Sequence, residues 1–462
     1  MATGRHTAGF GTRRILTRAV VVVLVASFAH FAYLRITIRP TPRPEHWAAR
    51  IAALDPPPPA ALSAEEVYAL LSNRPWEQDA ELAKSFHYGH FDADQILAGP
   101  WDADRPEIAA TDKVFRSDEF IQARAAVMSA ARTGWYFPVD PSPAGFMPSY
   151  TVVRAWSRLL VAHSRWVRQT RRDLDAAAAD WVAALEICRN SSRSRLLIGW
   201  LSESALLFII GREMTCAARE GDHPRNVRAL AEAVDRAIGP PQTRSMLLEG
   251  ERLYIHSILE YKFVRERGQW IDVSQTLVAD GWSAPAPLRV LNLFSPLFHD
   301  LPTASARHDL YFSSVGGPAA ALSSSGPEPT PPTVLDGCLW SLDVFSRSPN
   351  LYYRGRCYLD AALATVAVAE HHRRQGRYPD TLDALVPDLL PRVPVDYMDG
   401  ADLRYCRTAD GYVLYSIGAD GIDNGGASRN AKPWLFGPDE GPGNDVVFSA
   451  IVREQHQDPR GQ

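Results

Sequence analysis

Apolar residues recur at helical spacing through the middle of the chain. Within residues 63–276, successive stripes repeat every three to four positions, which is the pattern of amphipathic helices. Ser63 with Glu66 three residues later forms a capping box that should open the first of these helices. The stripes consist of Val153, Trp156, Leu160, His163 and Trp166 with Val167; Leu174, Ala177, Ala178, Trp181, Leu185 and Cys188; Leu196, Leu197, Trp200, Leu201, Leu207 and Ile210; and Leu247, Tyr254, Ile255, Ile258 and Leu259.

These stripes predict a mostly α-helical domain made of paired helices. The alanines at the expected contacts are similar to those of tetratricopeptide-type helical hairpins, although the spaced Trp–Leu–Gly–Tyr signature of that repeat is absent. The segment 201–210 is strongly apolar, but Ser202, Glu203 and Ser204 interrupt it. We therefore expect a buried core helix there rather than a membrane span.

A different pattern lies at the N-terminus, where apolar residues run almost without interruption through 19–34. Four arginines and no acidic residue precede this run. With its flanks, residues 15–38, the run is long enough to span a bilayer, with the basic end 1–14 in the cytoplasm. It is either an uncleaved signal anchor or a signal peptide that is cut after Ala29. We favour the anchor because the apolar run continues past Ala29.

Two segments interrupt the helical and apolar patterns. Prolines crowd residues 39–62, which predicts a stiff linker that lifts the rest of the chain off the membrane. Residues 277–350 lose periodicity and become rich in Ser, Gly and Pro, which is typical of an irregular or linker region.

The pattern becomes specific again in residues 351–452, which 453–462 follow as a tail. Leu359, Leu363 and Val366 form one helix face, which Gly376 should end. Asp380 is expected to cap a one-turn helix that Pro387 stops. Beyond it, alternating residues at 403–406 and 412–415 flank an Asp-Gly turn, which predicts a hairpin, and residues 444–448 predict a last strand.

Five motifs in this order resemble the globular domain of the major pseudopilin of type II secretion. They cover roughly the last fifth of the chain. The matching residues are Gly376, Tyr378 and Pro379; residues 382–387; Asp396; Tyr405; residues 416–421; and Asp445. The resemblance implies one long helix followed by a small antiparallel sheet.

This chain departs from the pseudopilin pattern in two ways. Tyr397 stands where the family has proline, and the turn there is one residue longer. The apolar N-terminal run lacks the glycine cleavage site followed by Phe and Glu, and a long stretch of other protein separates it from the module. We therefore expect the pseudopilin fold without assembly into a pilus.

The resemblance also implies a calcium site. In the family, the 416–421 loop and the terminal aspartate bind calcium, and the corresponding ligands here are Asp420, Asp423, Asn424 and Asp445. Calcium prefers six to eight hard oxygen ligands, which these side chains and nearby carbonyls could supply. The same residues are equally typical of ordinary turns, so both interpretations stay open.

Composition narrows the function classes. An apolar fraction of 46% with 22% charged residues indicates a globular protein, and a net charge of −4 gives no reason to expect nucleic acid binding. Arg165, Arg168, Arg171 and Arg172 form the densest basic stretch, which we interpret as a solvated helix surface. The five cysteines are far apart, which argues against a zinc site.

Motifs of catalysis and of nucleotide binding are absent from the sequence, and His256 with Glu260 is interpreted as an exposed polar pair. The predicted class is α+β: an N-terminal transmembrane helix, a central helical-hairpin domain, and a pseudopilin-like module. We expect a non-enzymatic scaffold or interaction protein, single-pass in the bacterial inner membrane and largely extracytoplasmic, with unknown envelope proteins as partners. The alternatives are an envelope hydrolase whose site forms only in three dimensions, and a component of a type II secretion or pilus-like system.

Overall fold

The computed structural model describes residues 44–56, 61–74, 101–102, 104–135, 150–193, 195–265, 342–409, 411–418, 421–426 and 445–450, with single residues near 25–29, 59 and 305–312. These ranges are mostly helical, with one small antiparallel sheet near the C-terminus, so the predicted α+β class is confirmed. The predicted membrane segment, 15–38, lies almost wholly outside them. In the part of the chain that is described, no helix has both the length and the apolarity needed to cross a bilayer.

The helices and strands follow one another from the N-terminal side as α1 to α10 and β1 to β3. The helices are α1 Pro44–Ala52, α2 Ala64–Ser72, α3 Pro106–Phe115, α4 Asp118–Thr133, α5 Tyr150–Trp166, α6 Leu174–Ser192, α7 Leu197–Arg219, α8 Val227–Ile238, α9 Arg244–Arg265 and α10 Leu342–Gln375. A π-helical turn, Val167–Arg171, extends α5, and a 3₁₀ turn spans Leu382–Leu385. The strands are β1 Arg404–Arg407, β2 Tyr412–Ser416 and β3 Val446–Ala450.

Helices α5, α6 and α7 form the centre of the helical part. The predicted stripe of α5 is confirmed, since Val153, Trp156 and Leu160 are fully buried. The Trp156 indole donates to the carbonyl oxygen of Leu71 at 2.8 Å, which joins α2 to α5. The capping box of Ser63 at the start of α2 is also confirmed.

Helix α7 is the buried core helix that the sequence predicts. It packs against α5 and α6 on one side and against α10 on the other. Its contact with α10 is close because glycines lie in the interface. A Cβ atom on Gly355 would lie 3.2 Å from the Ser204 backbone, and one on Gly211 would lie 2.8 Å from the Tyr358 ring.

The C-terminal module begins on α10, which starts earlier than the predicted boundary at 351. The helix ends at Gly376, whose φ of 69° is the left-handed conformation expected there. Strand β2 is central and pairs antiparallel with β1 and β3. The predicted hairpin is confirmed, with Tyr405 opposite Leu414.

One capping prediction is wrong. Thr381, not Asp380, is the N-cap residue of the 3₁₀ turn, and its side chain makes no capping hydrogen bond. Asp380 instead pairs with Arg377 and Arg407 at 3.5 and 2.7 Å. Asp380 is therefore used to connect the helix end to β1.

A single hydrophobic cluster runs through the helical part and the module. It contains Trp181 of α6, Leu207 of α7, Leu359 of α10 and Leu414 of β2. Helix α10 belongs to both parts, because one side packs on α7 and the other on the sheet. The helical part and the module therefore form one packed body.

Candidate functional site

The predicted calcium ligands converge only in part. Asp420 lies outside the described residues. The Asp445 carboxylate is 2% exposed and accepts the backbone N–H groups of Asn424 at 3.0 Å and Gly426 at 2.6 Å. Asp423 accepts the N–H of Gly425 at 2.9 Å. The loop and the terminal strand therefore do meet, through carboxylates that hold backbone N–H groups.

Asp423 and Asn424 already have protein partners, and one of them is a positively charged arginine. Asp423 also accepts the Tyr415 hydroxyl at 3.1 Å, and the Arg404 Nε atom lies 3.8 Å from its second oxygen. The Asn424 side-chain amide donates to the Ile422 carbonyl oxygen at 2.9 Å. Among the described residues, no group of three or more His, Cys, Asp or Glu side chains is arranged around a common point. A calcium site thus remains a prediction.

Asp396, which matched the pseudopilin turn, is the most heavily bonded carboxylate of the module. It is fully buried. Its Oδ1 accepts the Met398 N–H at 3.0 Å and the Ser416 hydroxyl at 2.8 Å. Its Oδ2 accepts the Ile417 N–H at 3.0 Å and pairs with Arg404 at 3.1 Å. Asp396 therefore fastens its own turn to the end of β2.

The prediction that the four arginines of the basic stretch lie on a solvated surface is wrong for two of them. Arg165 and Arg168 are 2% and 0% exposed, and both pair with the buried Glu213 of α7 at 2.9 Å. Only Arg171 and Arg172 lie on the solvated surface that the sequence predicts. Two buried guanidinium groups need a buried carboxylate, and Glu213 supplies it.

A histidine–carboxylate pair is enclosed nearby. His163 Nδ1 lies 2.6 Å from Asp180, which also pairs with Arg124 at 2.7 Å. The ring centroids of Phe115 and Phe120 lie 5.2 and 5.4 Å from that of His163. The pair is closed off by aromatic rings and is suited to holding helices together.

The prediction that His256 and Glu260 form an exposed polar pair is wrong. His256 is 8% exposed, lies 2.8 Å from Asp309, and stacks on Trp47 with ring centroids 5.7 Å apart. Glu260 accepts the indole N–H of Trp47. The two side chains thus serve the packing of α1 on α9.

The described cysteines, Cys188, Cys216, Cys357 and Cys406, form no disulfide.

A cavity of about 620 Å³, here called the cleft, opens on the surface of the described part of the chain. It lies between the loop that joins α8 to α9 and the turn that precedes β1. Its apolar walls come from Pro240, Pro241, Tyr353, Val395 and Tyr397. Burial raises the pKa of both phenols to about 12, so both keep their protons at neutral pH.

Three arginines also line the cleft: Arg244, Arg356 and Arg392. Arg392 pairs with Asp360 at 3.0 Å and with Asp235 at 3.4 Å. Burial opposes its charge, but the attraction of Asp360 outweighs burial, and the pKa of Arg392 is raised. For the carboxyl of Asp235, burial acts in the other direction and raises the pKa.

Arg356 is held differently from Arg392. It is 1% exposed, and its Nη atoms donate to the carbonyl oxygens of Ile238 at 3.4 Å and Gly239 at 2.9 Å. Its Nε has no hydrogen-bond partner among the described residues. Burial opposes its charge, but the nearby Tyr352, Tyr397 and Asp360 side chains favour the charged form, and the pKa of Arg356 is raised.

The sequence analysis missed the cleft because its arginines come from α9, α10 and the segment before β1. One signal was present: Arg356 and Asp360 are oppositely charged residues one helical turn apart in sequence. Comparison of the chain with models of protein families, with curated proteins and with solved structures found no match.

Proposed function

We propose that this chain is a non-enzymatic binding and scaffold protein of the bacterial cell envelope, anchored in the inner membrane by residues 15–38 and largely extracytoplasmic. The cleft between the helical part and the pseudopilin-like module is the observation that supports binding. It has the size of a small-molecule site and combines apolar walls with a few convergent polar groups.

The carboxylates of the helical core, of the module and of the cleft support a scaffold rather than the alternative of an envelope hydrolase. A hydrolase needs a base or nucleophile that faces an open pocket. Glu213 and Asp180 are buried in ion pairs inside the helical part, and Asp396 is buried in the module. The carboxylate on the cleft wall, Asp235, pairs with Arg392. This arrangement supports structural and binding roles for these groups.

The pseudopilin-like fold and the calcium ion enter this proposal through the resemblance. If calcium binds, Asp423, Asn424 and Asp445 are the described residues that the resemblance implies as ligands, together with Asp420. The ion would then bridge the loop and the terminal strand, which Asp445 already connects through backbone N–H groups. Assembly into a secretion pilus is not part of the proposal, because the sequence lacks the prepilin cleavage site.

Membrane fractionation tests the location. The protein is expected to stay in the membrane pellet after alkaline carbonate washing, and protease should reach its C-terminal module in spheroplasts. A soluble form that begins near residue 30 would favour the cleaved signal peptide. Protection of the module from protease would contradict the extracytoplasmic location.

Affinity purification tests the scaffold role. A tagged chain, solubilised from host membranes, should retain the same envelope proteins in constant ratio, and these should be lost from a variant that lacks residues 351–452. A chain with no constant partner but with turnover of an envelope polymer would favour the hydrolase.

A further inference from the structure

We infer that an acidic segment of a partner protein docks on a surface of arginines at the end of α10. This surface, here called the arginine surface, consists of Arg225, Arg373, Arg374, Arg377 and Arg407. The inference rests on the proposed function and deepens it, since it names the kind of partner that the scaffold binds. Its support comes from the local charge, from the fixed positions of the arginines, and from the place of the surface in the fold.

The arginine surface carries more positive charge than the carboxylates around it. Three of its members share the carboxylate of Glu370, with N–O distances of 3.7, 2.7 and 2.7 Å. The second group, Arg377 and Arg407, shares Asp380 at 3.5 and 2.7 Å. Even when Asp383, the next acidic residue in the chain, is counted, the five arginines face three carboxylates in this described part of the molecule.

Neighbouring charges do not cancel this excess. Carboxylates on α8 and before it have arginine partners of their own: Glu220 with Arg168, Asp222 with Arg172, and Glu232 with Arg228. The negative end of the α10 dipole amounts to about half a charge. Among the described residues, the arginine surface therefore keeps a net positive charge.

This positive charge is both permanent and accessible. A guanidinium group is charged at every physiological pH, and the five side chains are 42% to 66% exposed. Glu370, in contrast, is fully buried beneath them. Burial opposes its charge, but hydrogen bonds from Arg373 and Arg374 outweigh burial and lower the pKa of Glu370 to about 2. A carboxylate of a partner can therefore reach the arginines from the solvent side.

Contacts with the backbone hold the two groups of arginines close together. His371 Nδ1 lies 3.1 Å from the carbonyl oxygen of Arg377, and the Tyr405 hydroxyl donates to that of Pro379 at 2.9 Å. Arg374 and Arg377 are three positions apart, so their Cα atoms lie within about 11 Å of each other. Binding then costs less conformational entropy, because the backbone that carries the arginines is already fixed. One short acidic segment can contact both groups.

Aromatic rings beside the arginines favour a protein as the partner. The His372 ring stacks on that of Tyr378, with centroids 4.3 Å apart. The Tyr412 ring lies 5.3 Å from that of Tyr378 and 5.6 Å from that of Tyr405. His372, Tyr378 and Tyr405 are partly exposed. Arginine and tyrosine are enriched in protein–protein interfaces, and a guanidinium group matches a carboxylate geometrically, since its N–H groups donate in parallel to both oxygens.

The arginine surface lies at the C-terminal end of two helices that run in the same direction. A Cβ atom on Gly355 of α10 would lie 3.2 Å from the Ser204 backbone. One turn or two further along both helices, a Cβ atom on Gly211 of α7 would lie 3.4 Å from that of Ala362. Helices α7 and α10 are therefore parallel, and both end near the arginines.

This position argues against the inner membrane as the partner. Helix α1, which begins shortly after the proposed membrane anchor, packs at the start of α7, where Ile51 forms one apolar cluster with Leu196 and Leu253. Helix α7 has 23 residues, so its two ends are about 34 Å apart. The arginine surface thus lies at the far end of α7 from the segment that leads to the bilayer.

Binding of an acidic peptide to the full chain, purified in a detergent with a neutral headgroup, is the direct test. The probe is a fluorescein-labelled peptide of alternating Glu and Tyr, and its control has Gln in place of every Glu. Fluorescence anisotropy should show binding of the acidic peptide, with an affinity that falls as the salt concentration rises, and no binding of the Gln peptide.

Two double variants locate the binding. Arg225→Gln with Arg377→Gln removes the two arginines that have the longest ion-pair distances of the five, so the melting temperature should change little. Affinity for the acidic peptide should fall about twofold to thirtyfold, because two exposed charge contacts are lost. Arg50→Gln with Arg116→Gln removes the same charge from exposed positions elsewhere and should leave the affinity unchanged.

Four results would overturn the inference. The acidic peptide binds no better than its Gln control, or both double variants lose affinity equally. Vesicles of an anionic phospholipid displace the peptide from the chain, which would assign the arginine surface to a membrane. Sedimentation shows self-association that the Arg225 and Arg377 variant abolishes, which would assign the surface to a second copy of the chain.

Affinity purification separates this inference from the proposed function. Loss of the constant envelope partners from the Arg225 and Arg377 variant, but not from its control, supports both. Partners that both double variants retain equally would keep the scaffold role and refute the arginine surface as the docking site. A chain that binds the acidic peptide but retains no constant partner would keep the arginine surface and refute the scaffold role.

Discussion

Replacing Asp396 tests whether one buried carboxylate holds the module together. In Asp396→Ala, the backbone N–H groups of Met398 and Ile417 lose the acceptors that lie 3.0 Å away. The Ser416 hydroxyl loses its acceptor at 2.8 Å. Arg404 loses one of its three carboxylate partners and keeps Asp399 and the more distant Asp423. The fold has to leave these donors unpaired or open the turn to water.

The magnitude follows from the number of donors left without acceptors. Each buried donor left unsatisfied costs about 1–3 kcal/mol. Two such N–H groups and a broken charge contact predict a loss of about 3–5 kcal/mol in unfolding free energy. That is a large part of the 5–15 kcal/mol typical of a domain. Asp396→Asn should lower the unfolding free energy by about 2–4 kcal/mol. In this variant the side-chain NH₂ group replaces one carboxylate oxygen and faces the two donors that this oxygen accepted.

Asp399→Asn is the matched control. Asp399 also pairs with Arg404 and also lies in the turn before β1, but its side chain is 29% exposed. Exposed pairs contribute about 0–1 kcal/mol, so this variant should lose no more than that. Urea unfolding gives the totals, and hydrogen exchange of peptides that cover 404–418 locates the loss. Equal and small losses in Asp396→Ala and Asp399→Asn would refute the role given to Asp396.

Three further predictions concern other parts of the chain. Glu251 is partly buried, and the loss of hydration of its carboxyl raises its pKa to about 7 although it accepts a backbone N–H at the start of α7. Because the charged form is disfavoured only in the folded state, unfolding free energy should fall as the pH rises from about 4.5 to about 7, by at most about 3 kcal/mol, and Glu251→Gln should flatten that slope in urea titrations at pH 5 and pH 8. A Cβ atom on Gly250 would lie 1.9 Å from the Arg195 carbonyl oxygen, so Gly250→Ala should cost about 3 kcal/mol in urea unfolding and clearly more than Gly355→Ala; equal losses would contradict this close approach. Millimolar calcium should raise the melting temperature by several degrees relative to chelator, and Asp445→Ala should abolish that shift; identical melting curves would leave Asp445 as a residue that only orders the loop.

Local patterns predicted those elements whose causes are local. The stripe at Val153, Trp156 and Leu160 predicted α5, because amphipathic helices repeat in sequence. Gly376 predicted the end of α10, since the left-handed conformation it adopts favours glycine. The Asp-Gly pair before Tyr412 predicted the hairpin, because this dipeptide is typical of the tight turns that join neighbouring antiparallel strands. None of these predictions required knowledge of a distant partner.

The buried charges could not be predicted because their causes are distant. Arg165 and Arg168 look like a solvated surface until α7 places Glu213 between them, forty-eight and forty-five positions away in sequence. The periodicity of α5 fixes which side chains share a face, but it does not say whether a charged face meets water or a counter-ion. A carboxylate within an otherwise apolar helix, such as Glu213 of α7, is the signal that could have suggested the pair.

The cleft shows why the fold and the candidate site depend on each other. Tyr397, which lines the cleft, directly follows Asp396, and its backbone N–H donates to the Cys357 sulfur of α10 at 3.1 Å. Arg356, the neighbour of Cys357, supplies the buried charge of the cleft from the same helix. The hydrogen bonds that fix the turn before β1 therefore also fix the position of Tyr397 relative to Arg356. Tyr397, which stands where the pseudopilin pattern has proline, lines the cleft, and a motif match at Asp396 alone would not reveal this.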